Sequence, residues 1–468
     1  MSHAVSPPTT LWHLERMSSQ APQRIFSNLD LSRLIIPLII EQFLSCFVGM
    51  VSTMMVASLG EAAVSGVSLV DHFNVLIINI FAGLSTGGAV VASQYLGAKR
   101  IKDAQRGTKQ LLLVTTAVSL LLLLIVQVFN RQLIRLFFGS IDAEVMATAQ
   151  TYFRITALAF PTIALFNACA AIFRVMGNSK VSMFASLLCN IVNVCTCVLL
   201  IYVFRLGVAG AAWAVVLSRL VAAALLLLLL SNRRHVLYLS WQGGFHPQWE
   251  MIRKILYIGI PSGVENSFFQ LGRLLVLSVI ALFGTVQIAA SAVAGNLGYM
   301  SCIAGGGFSL AMVTVIGQCV GNGNREQLYF YVRKMMRLAY TVHLLWGLLV
   351  LSALPWVFKL YALSPETMRL ALILVLIHNG FGLLMWPASF VFPNALRAAN
   401  DVTYTMIVSV SSMLILRVGF SYVLGYYLGW GAIGVWIAML LDWACRITCF
   451  YLRYRSGTWL RRANLQEA

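Results

Sequence analysis

The stretch Pro37-Leu38-Ile39-Ile40-Glu41 returns as Pro261-Ser262-Gly263-Val264-Glu265, 224 positions further along the chain. Other landmarks keep that spacing. Gln94-Tyr95-Leu96-Gly97 returns as Gln318-Cys319-Val320-Gly321, and Arg135-Leu136-Phe137 as Lys359-Leu360-Tyr361. Gly207-Val208-Ala209-Gly210, followed by Ala214, returns as Gly431-Ala432-Ile433-Gly434, followed by Ala438. Arg174 and Arg397 are 223 apart. Two apolar halves share Gly and Pro through composition alone. Composition does not set Glu, Gln and Arg at one constant distance. The chain is therefore read as two copies of one unit.

Each unit is a set of membrane-crossing helices. Of 468 residues, 60% are hydrophobic and 10% charged, whereas a soluble domain carries about 25% charge. The apolar residues fall in blocks near 34–57, 67–96, 110–129, 150–172, 181–204, 209–230, 255–283, 287–318, 338–358, 369–392, 404–428 and 432–452. Each reaches or exceeds the ~20 residues that a helix needs to cross a hydrocarbon core of ~30 Å. Blocks two and eight are long and Gly-rich, which suits tilted or irregular helices. Because each unit holds an even number of helices, both copies insert with the same orientation. Such parallel repeats are a transporter arrangement, with the substrate site between them near mid-membrane.

The expected fold is an all-α integral membrane protein. Twelve transmembrane helices form two parallel six-helix bundles, related by a pseudo-two-fold axis along the membrane normal. The divisions are an N-terminal tail 1–30, an N-lobe 31–231, a linker 232–254, a C-lobe 255–456 and a C-terminal tail 457–468. The linker is polar and carries Trp241-Gln-Gly-Gly-Phe-His246-Pro247, a loop composition.

A net charge of +18 raises nucleic acid as a partner. The basic residues, however, sit between apolar blocks rather than on one basic domain, so no nucleic-acid partner is expected. Lys99, Arg100, Lys102, Arg106 and Lys109 follow block two, and Arg233, Arg234, Arg253 and Lys254 follow block six. Arg325, Arg333, Lys334 and Arg337 follow block eight; Arg453, Arg455, Arg461 and Arg462 follow block twelve. The opposite loops hold only Arg131, Arg135, Arg205, Lys359 and Arg369. Basic residues gather on the cytoplasmic side, so both termini are expected in the cytoplasm. The nine Cys show no CxxC spacing, and no metal site is expected.

Charges inside the apolar blocks carry the functional reading. Glu41 lies eight residues past Arg33, about 12 Å along a helix, and Glu265 eleven past Lys254, about 16 Å. An ionisable residue inside the slab costs ~2.5–3.5 kcal/mol on insertion scales and marks a candidate ion-coupling group. Asp71, nearer a helix end, is a third. Pro37 and Pro261 each precede the Glu by four residues. A proline removes a backbone donor and bends a helix, so both are taken as structural. Glu41, Ser45 and Ser52 share a helix face, as do Asn266, Gln270 and Arg273, and Ser186, Asn190, Asn193 and Cys197. Such polar faces line a wet cleft or hold helices together. Five further Arg, namely Arg154, Arg219, Arg273, Arg417 and Arg446, lie within or at the edges of blocks. Arg446 lies four residues after Asp442, the spacing of a structural ion pair.

Several of these segments together resemble the multidrug and toxic compound extrusion (MATE) family. They are Pro37-Leu-Ile-Ile-Glu-Gln42, Val51-Ser-Thr-Met-Met-Val56, Leu59-Gly-Glu-Ala-Ala63, Gly83-Leu-Ser-Thr-Gly87 and Gln94-Tyr-Leu-Gly-Ala98. In the second half they are Ala395-Leu-Arg-Ala-Ala399 and Gly434-Val-Trp436. The resemblance covers about residues 30–460 and implies two bundles around a central cleft. It also implies a cation-coupled antiporter, exchanging H⁺ or Na⁺ for organic cations at a bacterial cytoplasmic membrane. Family members often carry an Asp where this chain has Ser52. Glu41 is then the substitute in the first lobe, and Glu265 matches a helix-seven acid of the family. Asn190 and Asn193 become supporting polar groups of the cleft, with Ser52, Asn266, Gln270 and Arg273.

The expected mechanism is alternating access by one chain, with the bilayer and a small organic cation as partners and no cofactor beyond the coupling ion. An anionic, aromatic-lined cavity suits lipophilic cations through charge and cation–π contact. A flippase for a lipid-linked oligosaccharide is the alternative, and Arg273 facing a basic cleft would favour it. No HExxH, paired-acid or Gly-x-Ser-x-Gly motif points to an enzyme, and the duplicated buried acids favour a carrier over an open channel.

Overall fold

The structure is a computed structural model in which residues 24–139, 142–240, 246–360 and 364–463 are described. Most of the N-terminal tail, 241–245 of the linker and 464–468 of the C-terminal tail lie outside the described residues. The helices are α1 (Asn28–Ala57), α2 (Glu61–Gly97), α3 (Ile101–Phe138), α4 (Ala143–Ala157 and Phe160–Val175, bent by 47°), α5 (Ser179–Val203) and α6 (Gly207–Leu230). Then come α7 (Trp249–Ala281), α8 (Thr285–Asn322), α9 (Arg325–Leu360), α10 (Pro365–Ala398), α11 (Val402–Tyr427), α12 (Gly431–Arg455) and the short α13 (Thr458–Arg462). Eleven are long and apolar enough to cross a membrane when the bent pair counts as one. The 30-residue α1, around the 34–57 block, is the twelfth. Helix α7 begins at Trp249, so the last six residues of the stretch assigned to the linker are already helical. Trp459 and Leu460 of α13 are buried, so the start of the C-terminal tail is packed.

Local chemistry sets the helix ends. Ser27 and Asp30 form a reciprocal capping box at the start of α1, satisfying two otherwise orphaned donors. Ser364 accepts from the Thr367 amide, with Pro365 in the first helical position of α10, where its missing N–H costs nothing. The repeat is also present in the backbone. Gly60 (φ 104°) and Gly284 (φ 92°), Lys99 (φ 59°) and Gly323 (φ 77°), and Gly207 and Gly431 (both φ 57°) are left-handed pairs 224 apart. Shared composition does not produce shared turns. Wide π turns recur too, at Leu199–Val203 in α5 and at Met413–Gly419 and Ser421–Tyr427 in α11.

The lobes meet along α1, α2, α7 and α8, most closely toward the end where the described residues begin and finish, the terminal end. A side chain at Gly83 would collide with the backbone of Gly263, and one at Gly87 with the Ile255 carbonyl. Gly97 lies against the Gln318 carbonyl and Gly321 against that of Gln94. Small residues permit this backbone approach in membranes. Gln94 Nε2 donates across the interface to the Ala398 carbonyl at 2.8 Å and to Asn400 Oδ1 at 3.0 Å. Gln318 Nε2 donates the opposite way, to the Val175 carbonyl at 2.8 Å. The repeated Gln-x-x-Gly motif is thus a reciprocal clasp: each glycine admits the other lobe, and each glutamine holds it.

Candidate functional site

Beyond the clasped segment a cavity of about 700 Å³ opens, mostly within the C-lobe. That is a drug-sized volume. Helix α2 reaches it with His72, Val75 and Leu76 before running into the closed glycine segment. Gln42 of α1 faces Gly306 of α8 at the cavity's inner limit, one residue from the Gly307–Ile39 contact. The walls are Trp386, Trp436, Trp443, Phe269, Phe390 and Tyr299, with His378, Gln270 and Asn296 between them.

The charge on this wall is positive. Arg273 and Arg417 line the cavity, and no Asp or Glu is among its lining residues within the described part of the chain. Asp442 lies just behind it, fully buried. Its Oδ1 accepts from Arg446 Nε at 2.8 Å, while Arg417 Nη1 is 3.8 Å from Oδ2. The expected Asp442–Arg446 pair is therefore present. It largely consumes the acid, and Arg417 Nη1 has no hydrogen-bond partner among the described residues. Both Arg417 and Arg446 stand over the Phe269 ring, at 5.6 and 5.5 Å. The π turn Met413–Gly419 delivers Arg417 to the wall; such turns re-aim a side chain without ending a helix. The anionic lining expected from the sequence is replaced by a basic, aromatic one.

The other candidate residues divide into groups. Gln270 and Arg273 line the cavity; Asn266, one turn away, does not. Glu41 is buried and accepts from Ser182 Oγ at 2.9 Å. Arg174 lies within electrostatic reach of it. Glu265 is buried and takes Arg397 Nη2 at 2.6 Å on Oε1, while its Oε2 has no partner among the described residues. Neither Glu is on the cavity wall; Glu265 is paired with the arginine that closes its own lobe's turn, whereas Glu41 is bonded to Ser182 with Arg174 nearby. Helical rise alone gave their depth but not their facing. Ser52 Oγ donates to Asn193 Oδ1 at 3.1 Å, and Asn193 Nδ2 to Ser218 Oγ at 3.4 Å. This chain joins α1, α5 and α6 and acts as interhelical glue. Asn190, also outside the cavity lining, has a buried Nδ2 without a partner among the described residues. Asp71 accepts from Asn74 and Tyr152, both at 3.4 Å, on the N-lobe side.

Sequence reading missed His72, His378 and the three tryptophans, and treated Arg417 only as an intramembrane arginine. Arg273 and Arg417 share one signal, a cation in an apolar block with no acid at i±3 or i±4 on its helix.

Fold and cavity together define a two-lobed, twelve-span membrane transporter. The MatE profile matches residues 37–199 and again 261–423, two stretches offset by the same 224. The chain belongs to the MatE family. It is 26% identical over 433 residues to the uncharacterized transporter YisQ of Bacillus subtilis, covering 91% of this chain and 94% of that one. It is 25% identical to the probable multidrug resistance protein NorM of Thermotoga maritima, covering 93% and 94%. Among solved structures, a MOP superfamily transporter from Pyrococcus furiosus superposes with a TM-score of 0.82 at 21% identity, covering 94% and 96%. For that protein a reverse polarity of the binding pocket is described as suggesting a different function.

Proposed function

We propose that this MatE-family transporter exports aromatic organic compounds bearing a negative charge, by alternating access coupled to H⁺ or Na⁺. One observation carries the substrate class: Arg273 and Arg417 face an aromatic cavity with no carboxylate among its described lining residues. An anion ~4 Å from one such charge gains about 4 kcal/mol at an effective dielectric of 20, and a cation loses as much. This departs from the organic cations implied by the family resemblance. The reversed pocket polarity described for the Pyrococcus furiosus relative is a precedent for such a departure. The same arginines favour a flippase for a lipid-linked oligosaccharide, but a cavity of about 700 Å³ suits a drug-sized molecule better. The test is transport in proteoliposomes, with a carboxylated and a cationic dye of similar size under separately imposed H⁺ and Na⁺ gradients. Arg273→Gln/Arg417→Gln should cut carboxylate transport at least about tenfold and raise any transport of the cation. Cation transport with no carboxylate transport by the parent protein would refute the substrate class.

Glu265 and Glu41 are the proposed coupling groups, acting on the clasp rather than on the substrate. Arg397, held by Glu265, adjoins Ala398, whose carbonyl accepts Gln94. Arg174, near Glu41, adjoins Val175, whose carbonyl accepts Gln318. A proton or Na⁺ on the unpartnered Oε2 of Glu265 would weaken its hold on Arg397 and so loosen the turn that the other lobe grips. Glu265→Gln, which mimics the protonated acid, should transport without responding to the imposed gradient. Unaltered gradient dependence would remove Glu265 from coupling. The basic terminal-end loops favour cytoplasmic termini, with the clasp sealing the inner face and the cavity open outward.

A further inference from the structure

A second concavity, of about 790 Å³, lies at the terminal end between the lead-in to α1 and the first turns of α9. Four basic residues line it, Arg24, Arg333, Lys334 and Arg337, with Glu326 as its one carboxylate among the described lining residues. Its geometry is fixed. The Phe26 amide donates to the Tyr331 hydroxyl, which donates back to the Phe26 carbonyl, both at 2.8 Å. Lys334 Nζ donates to Asn28 Oδ1 at 2.6 Å. The Phe330 ring carries Arg24 at 5.3 Å and Lys334 at 5.6 Å. Two cations are thus held beside a single ring, where they repel one another.

The internal repeat supplies the comparison that makes this corner unusual. At an offset of 224, Lys334 corresponds to Gln110 and Arg24 to Gln248. In that other copy both of these positions are neutral and bonded to one another, although Lys109 and Arg106 stand where the first corner has Arg333 and Phe330. Gln110 Oε1 accepts from the Gln248 amide at 3.1 Å, and Gln110 Nε2 donates to the His246 carbonyl at 2.8 Å. The linker fills one corner with hydrogen bonds between neutral groups. The equivalent corner opens and presents two cations that cannot bond to each other.

The surroundings favour a lipid. Leu338, Leu345, Leu349 and Trp356 follow Lys334 along one face of α9, at helical spacing, and the last three are exposed. A basic pocket therefore continues directly into an apolar strip running along a membrane span. An anionic headgroup with its acyl chains matches that order of chemistry, since basic pockets beside membrane helices take lipid phosphates. We infer that this pocket binds the phosphate headgroup of an anionic phospholipid, whose chains lie along the exposed face of α9. The α1–α9 contact joins the two lobes, so the lipid would also sit on a moving seam.

The repeat itself suggests the test variant. Arg24→Gln/Lys334→Gln installs the pair that the other copy tolerates, so folding should survive, which a thermal melt checks. Parent and variant are placed in nanodiscs of phosphatidylglycerol and phosphatidylcholine, and the lipids retained on release are counted by native mass spectrometry. Arg461→Gln/Arg462→Gln, outside the pocket, is the charge-matched control. The parent and the control should retain phosphatidylglycerol preferentially, with retention falling about tenfold or more in the pocket variant. Equal retention by parent and folded pocket variant would overturn the site. A parallel titration with inorganic phosphate in lipid-free detergent separates the ligand sources. Saturable phosphate binding without phosphatidylglycerol enrichment would make the ligand a free anion and overturn the lipid assignment.

Discussion

Asp442 has more positive neighbours than it can neutralise. Arg446 binds one oxygen at 2.8 Å, Arg417 approaches the other at 3.8 Å, and the acid is wholly buried. Arg446 is further tied to Ser412 Oγ at 3.1 Å and to the Ser409 carbonyl at 3.0 Å, so it cannot swing away to solvent. Removing one partner of a buried pair costs about 3–5 kcal/mol, because the remaining charge stays desolvated. Asp442→Asn should therefore lower stability by that amount, read as a large fall in the midpoint of thermal unfolding in detergent. Asp442→Leu/Arg446→Met removes the pair, leaving only the cavity-facing Arg417, and should recover part of the loss, since contacting residues are not additive. If the single and double variants melt alike, the charge left unpaired within α12 is not what the single variant loses. The excess cation also matters for function: a better-matched acid behind the wall would leave Arg417 less free to meet a substrate anion.

Helices α2 and α8 show how much of the design lay open in the sequence. The Gln-x-x-Gly motif at Gln94 and Gln318 stood out as a repeat, and so did its constant offset. Its use did not, because the partners Ala398 and Val175 lie in the other lobe, and one sequence records no contact between lobes. Glu41 and Ser52 on one helix, and Asn190 and Asn193 on another, were legible as polar faces for the same reason that any helical face is: the period is fixed at 3.6. Whether such a face meets water or a neighbouring helix depends on packing, and here Ser52 and Asn193 meet each other. The cavity wall was harder still. It draws His72 from α2 and Trp386, Arg417 and Trp443 from three C-lobe helices, which only tertiary structure brings together. The clasp makes its own prediction. Each glutamine hydrogen bond contributes about 0.5–1.5 kcal/mol net, so Gln94→Ala/Gln318→Ala should shift the lobes toward opening at this end by about tenfold or more. Maleimide labelling of a cysteine placed at Ser93 should speed up accordingly, whereas an unchanged labelling rate would show that the glutamines do not hold the seam.

Two parallel six-helix lobes joined by one linker have a simple way to move, which is to rock as bodies about the seam between them. The glycine contacts of α2 and α8 would then part at the terminal end as the cavity closes at the other. A bond placed across that seam distinguishes this motion from local rearrangement of the cavity alone. Ser93 and Gly317 are suitably opposed, with a Cβ built on Gly317 2.9 Å from that of Ser93. A disulfide needs ~3.8 Å between the two Cβ atoms, so the seam must open by under about 1 Å for Ser93→Cys/Gly317→Cys to close one. Oxidation should drop dye export to background, reduction should restore it, and neither single variant should respond to oxidant. Substrate should still bind the oxidised protein, because the cavity lies outside the locked segment. Loss of transport with binding retained is the signature of a lobe motion that has been stopped. Undiminished export by the fully oxidised double variant would mean that the lobes do not separate there, and that access alternates by a path within the C-lobe.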